Sequence, residues 1–113
     1  MEKITLDLIP GLQNKLPECH TSQYDTGRVI RFELVKNGEP YTLSGDENIT
    51  LTMKTPDGRP ITADTTAAGD HVDIVTTTEM TRTPGAAYCK LQITKGEEHI
   101  KTSAFLMLIE VRP

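Results

Sequence analysis

The sequence predicts an all-β protein, an immunoglobulin-like antiparallel β-sandwich of about seven or eight strands, and three observations carry that prediction. Apolar and polar residues alternate with period two in segments spread along the chain, which is the pattern of strands with one buried face. Threonine, β-branched and suited to a half-buried pleated surface, is the commonest residue at 17 of 113 positions. Turn-forming pairs recur about every 10–15 residues, near the spacing of a sandwich or barrel, and no segment sustains a 3.6-residue apolar stripe.

Taken in order, Ile4-Thr5-Leu6-Asp7-Leu8 alternates and reads as the first strand. After the turn Asp25-Thr26-Gly27, residues 28–35 carry Ile30, Phe32 and Leu34 on one face and are predicted to turn back at Asn37-Gly38 through 39–43. Residues 49–55, with Ile49, Leu51 and Met53 inward, pair with 59–63 across Pro56-Asp57-Gly58. In both hairpins the Asn-Gly or Asp-Gly pair accepts the positive φ angles that match strand twist. Val72 and Ile74 define a short strand, and Ala87, Cys89, Leu91 and Ile93 a long one. Residues 78–82, stopped by Pro84-Gly85, allow at most one helical turn, with Thr78 as its cap and Met80 plugging the bottom of the sandwich. The inward residues of all these strands should meet in one core, so the domain is expected to span 1–113.

The last strand departs from the pattern. Ala104-Phe105-Leu106-Met107-Leu108-Ile109 is apolar on both faces, so one face needs a cover other than the core. Cover by the N-terminal arm or by the 9–17 loop is one reading, and a subunit or partner interface is the other; Phe105, Met107 and Ile109 are the candidate interface residues.

Composition narrows function by exclusion. A net charge of −4 argues against a nucleic-acid surface, which needs clustered Lys and Arg. No run approaches the roughly 20 apolar residues of a membrane span. The N-terminus alternates where a signal peptide would be continuously apolar, so synthesis inside a cell, with retention or release by lysis, is expected. In that setting Cys19 and Cys89 are expected as free thiols, Cys89 buried with a raised pKa.

His20, His71 and His99 lack a second histidine at ligand spacing, and Cys19 and His20, adjacent on a strand, would face opposite ways, so no metal site and no cofactor is predicted. The acidic stretches Gly45-Asp46-Glu47-Asn48 and Asp70-His71-Val72-Asp73 lack the calcium-loop ligand ladder and read as solvated turns. Ser22, Ser44 and Ser103 have no nucleophile elbow and no evident His and acid partners, so the chain is predicted not to be an enzyme. Tyr24, Tyr41 and Tyr88 lie on different segments, which weakens a carbohydrate platform while leaving a glycan-binding or adhesion module as the alternative class.

The succession Gln23-Tyr24-Asp25-Thr26-Gly27-Arg28, Asn37-Gly38-Glu39-Pro40-Tyr41-Thr42-Leu43, Lys54-Thr55-Pro56-Asp57-Gly58, Thr78-Glu79-Met80-Thr81, Pro84-Gly85, Cys89-Lys90-Leu91-Gln92-Ile93 and Ile100-Lys101-Thr102-Ser103-Ala104-Phe105 resembles a phage family. That family is the N-terminal domain of the phage baseplate upper protein, found in tailed phages and prophages of Gram-positive bacteria. The resemblance covers nearly the whole chain and rests on the order of the motifs. It implies a non-enzymatic virion protein of the tail baseplate that docks a fibre or receptor-binding part through contacts with other tail or baseplate proteins, with assembly as a homo-oligomer among the forms such docking takes and with neither nucleic acid nor membrane as partner. Longer members carry a helical linker and a receptor-binding part; this sequence ends at Pro113, so docking is the expectation the resemblance supports most directly.

Overall fold

A computed structural model of the chain describes residues 2–9, 16–102 and 104–111. Among them the strands are β1 (Glu2–Asp7), β2 (Glu18–Ser22), β3 (Val29–Lys36), β4 (Glu39–Pro40), β5 (Asn48–Lys54), β6 (Pro60–Asp64), β7 (Thr66–Ala68) and β8 (His71–Val75). One helical turn, α1 (Thr78–Thr81), precedes β9 (Gly85–Lys95), β10 (Glu98–Lys101) and β11 (Phe105–Glu110). A five-stranded sheet runs β1-β3-β8-β7 with β4 beside β3, and a six-stranded sheet runs β2-β11-β9-β5-β6 with β10 beside β9.

Every inward residue that the alternation assigned, from Ile4 to Ile93, is buried in the layer between the sheets. The chain is thus an all-β sandwich, but not a purely antiparallel one. β1 runs parallel to β3, setting Ile4 beside Phe32 and Leu6 beside Leu34. β2 runs parallel to β11, setting Cys19 beside Met107. A parallel pair cannot be joined by a tight hairpin, so turn dipeptides carry no signal for it.

The two predicted hairpins differ in detail. Asn37 (φ 53°) and Gly38 (φ 82°) both take left-handed angles, as a two-residue hairpin turn requires. At Asp57-Gly58 only Gly58 does (φ 89°). There the loop is closed by Thr55, whose N–H donates to the Arg59 carbonyl (2.9 Å) and whose Oγ1 accepts from the Arg59 N–H (2.9 Å). β4 is shorter than the expected 39–43: the Tyr41 N–H still donates to the Leu34 carbonyl of β3 (3.0 Å), but the Leu43 N–H donates instead to the Gly69 carbonyl (2.8 Å) as the Leu43 side chain enters the core. α1 is the anticipated single turn with Met80 buried, but its N-cap is Thr77 without a side-chain cap bond, so Thr78 does not cap it.

Two devices fix the register of the five-stranded sheet. On its outer face Arg31 and Asp73 sit opposite each other and pair through two parallel hydrogen bonds of 2.8 and 2.9 Å. At the end of β1, the buried Asp7 carboxylate accepts from the N–H groups of Ile9 (2.9 Å), Asn37 (3.1 Å) and Gly38 (3.1 Å), tying β1 to the β3–β4 turn.

Candidate functional site

β11 lies inside the six-stranded sheet, flanked by β2 and β9, so only its two faces remain to be filled. Phe105, Met107 and Ile109 point into the core and are buried. Phe105 stacks at 4.6 Å on Phe32 of the opposite sheet. Their side chains therefore pack the sandwich, and the excess apolar face anticipated for this strand belongs to the intervening residues, Leu106 and Leu108, which are partly exposed. Alternation fixed that two faces were apolar but gave no rule for which one met the core.

On the outer surface Leu106 sits between Glu18 and Tyr88, and Leu108 between His20 and Ala86. Tyr88 is 47% exposed, and the Lys90 ammonium lies 5.8 Å from its ring centroid. The surface is thus an apolar strip, Tyr88-Leu106-Leu108-Ala86, edged by Glu18, His20 and Lys90. Residues 10–15, part of the 9–17 loop considered as its cover, lie outside the described residues, as does Ser103.

A second surface feature is a groove of about 860 Å³ along the open edge of the sandwich, lined by Ile61, Ala63, Val75, Thr77 and Met80, with Arg59 and Glu79 at its mouth. Arg59 Nη1 donates to Glu79 Oε2 at 3.1 Å there.

The remaining polar candidates are held by local structure. Asp46 accepts from the Ser44 hydroxyl, and Glu47 from the N–H groups of Ser44 and Gly45, which holds both carboxyls below their ordinary pKa. Asp25 Oδ2 accepts from the Ser22 N–H (3.0 Å) and from the Arg28 guanidinium (2.7 Å). Among the described residues no group of three His, Cys, Asp or Glu side chains is placed to hold a metal ion. Cys19 and Cys89 are buried free thiols, and His20, next to Cys19, faces outward. Tyr24 follows β2, Tyr41 packs against the core beyond β4, and Tyr88 lies on β9.

The described residues form a mixed two-sheet β-sandwich that presents an apolar strip and an open edge. By sequence, no family model and no curated protein matches the chain. By structure it is similar to the N-terminal domain of phage TP901-1 ORF48, with a TM-score of 0.65 at 13% identity, covering 97% of this chain and 99% of that one. The likeness is one of fold, end to end.

Proposed function

We propose that this chain is a non-enzymatic assembly domain of a phage or prophage tail baseplate, docking a fibre or receptor-binding part through contacts with other tail proteins in the virion. The observation that carries this reading is the end-to-end correspondence with a phage protein's N-terminal domain, reached independently of the motif order that resembles the baseplate upper protein family. β11 remains the proposed contact strand. Its core-facing Phe105, Met107 and Ile109 hold the strand in place, while Leu106 and Leu108 with Tyr88 present the surface a partner would cover. An apolar centre with charges at its edge is the usual composition of a protein–protein contact.

Immuno-electron microscopy of particles induced from the source strain, with antibody raised against this chain, tests the reading. Label is expected at the distal end of the tail. Purified particles that contain none of the chain by immunoblot overturn it.

A further inference from the structure

Among the described residues β6 is an edge strand, hydrogen-bonded to β5 alone. The direction of its unpaired groups follows from the loop that precedes it. Thr55 N–H donates to Arg59 O, so 55 and 59 form a hydrogen-bonded pair, and in an antiparallel ladder such pairs recur at every second residue. The pairs Met53–Ile61 and Leu51–Ala63 then exchange backbone bonds, and the backbone groups of Pro60, Thr62 and Asp64 point away from the sheet. Pro60, which has no N–H to offer, stands where none is used within the chain. The inward residues Ile61 and Ala63 are only partly buried, unlike the inward residues of β3, β5 and β9, because the facing sheet leaves the groove open beside Val75, itself 49% exposed.

We infer that the β6 edge pairs antiparallel with the β6 edge of a second copy of this chain, about a two-fold axis through Thr62, joining two six-stranded sheets into one. This contact is independent of the phage reading. The sequence of the strand is self-complementary in that register. Thr62 meets its own copy and exchanges two backbone bonds; each Asp64 N–H reaches the opposite Pro60 carbonyl, giving four bonds in all despite the proline. On the inner face Ile61 lies opposite the small Ala63 of the other copy, so each partly covered residue shields the other. On the outer face Asp64, for which the described residues supply no ion pair, lies across Pro60 from Lys54 of the other copy, since Lys54 is the β5 partner of Pro60. The two Cα atoms are then about two strand spacings apart, roughly 9.6 Å, within reach of an extended lysine over a flat proline ring. Each dimer carries this Lys54–Asp64 pairing twice. A closed two-fold contact also removes the exposed edge from further strand addition.

Thr62 is exposed, so charging it leaves the domain's own packing untouched while placing like charges opposite each other on the axis. Sedimentation velocity over a concentration series should show a monomer–dimer equilibrium for the natural chain. T62K and T62E, each confirmed folded by circular dichroism, should each weaken dimerisation about two- to fivefold, and an equimolar mixture of the two should restore it. A natural chain monomeric up to its solubility limit overturns the inference. So does a dimer indifferent to both substitutions, or a mixture that stays monomeric.

Discussion

Phe32 of β3 and Phe105 of β11 meet across the sandwich with ring centroids 4.6 Å apart and planes tilted by 42°, and neither ring is exposed to solvent. The pair joins the two sheets at their centre, in the tilted geometry that aromatic quadrupoles favour. With only two phenylalanines and no tryptophan in the chain, this contact concentrates much of its large-side-chain packing.

Truncating that contact should therefore cost far more than changing its neighbour. Phe105→Ala is expected to lose about 3–5 kcal/mol, a large share of the 5–15 kcal/mol typical of a whole domain. Leu106→Lys, on the outer face of the same strand, should change stability by no more than about 1 kcal/mol. Urea unfolding of both variants separates the two faces of β11. A Leu106→Lys loss as large as that of Phe105→Ala would mean that the outer strip is packed as core.

Asp7 links pH to fold. Burial alone would raise its pKa, but the three N–H bonds from Ile9, Asn37 and Gly38 outweigh that and leave it below the ordinary 3.8. A carboxyl depressed in the folded state contributes stability that is fully present above its unfolded pKa and lost as pH falls through the folded value. Asp7→Asn replaces one accepting oxygen with a donor facing an N–H, at an expected cost of about 2 kcal/mol near neutral pH. Thermal melts at neutral pH and below about pH 3 check the sign. The gap between the natural chain and the variant should narrow in acid, and a gap that widens there contradicts the assignment.

The fold's inward faces were readable because each needs only a local period of two: Ile30, Phe32 and Leu34, or Leu91 and Ile93, alternate whatever lies beside them. What stayed hidden was non-local. The parallel partners of β1 and β2 lie 28 and 88 residues along the chain, Glu2 beside Ile30 and Glu18 beside Leu106, and no short motif encodes such a pairing. The same limit applied to the candidate surface. Assigning Phe105, Met107 and Ile109 to the core and Leu106 and Leu108 to the surface takes knowledge of how β11 faces β3, and the β6 edge is set by β6 having one neighbour in its sheet, neither of which is a local property. Asp7 left no local trace either: the Asn37-Gly38 turn whose N–H groups it accepts lies thirty residues on, and only the parallel register brings the two together.

Gly85 begins β9 where the strand passes over Pro56, and its φ of 126° is an angle that side chains rarely adopt. A Cβ there would stand 3.0 Å from Pro56 Cβ and 3.3 Å from its Cγ, both part of a rigid ring. Gly96, at φ 58°, has open space around the same position. Gly85→Ala combines backbone strain with a clash and should cost about 2–3 kcal/mol, against about 1 kcal/mol for Gly96→Ala, where only the left-handed angle is penalised. Denaturant midpoints of the two variants should rank in that order; equal midpoints would mean that β9 shifts away from Pro56 at little cost.

The thiols of Cys19 and Cys89 sit on strands flanking β11, both buried and both reduced. Burial pushes Cys89 well above the ordinary thiol range, and the nearby Cys19 pushes it the same way, more than the backbone bond from Met107 offsets. The reacting species is the thiolate, so Cys89 has neither access nor ionisation in the folded state, and burial denies Cys19 access. A disulfide-exchange reagent should therefore titrate no thiol in native buffer over minutes and two in denaturant. The slow native reaction, followed for hours, should run at the rate of the unfolded chain reduced by the unfolding equilibrium, at least about a thousandfold for a stable domain. A thiol that reacts quickly in native buffer would place an opening at the β2–β11 or β11–β9 seam, and Cys19→Ser and Cys89→Ser variants would say which.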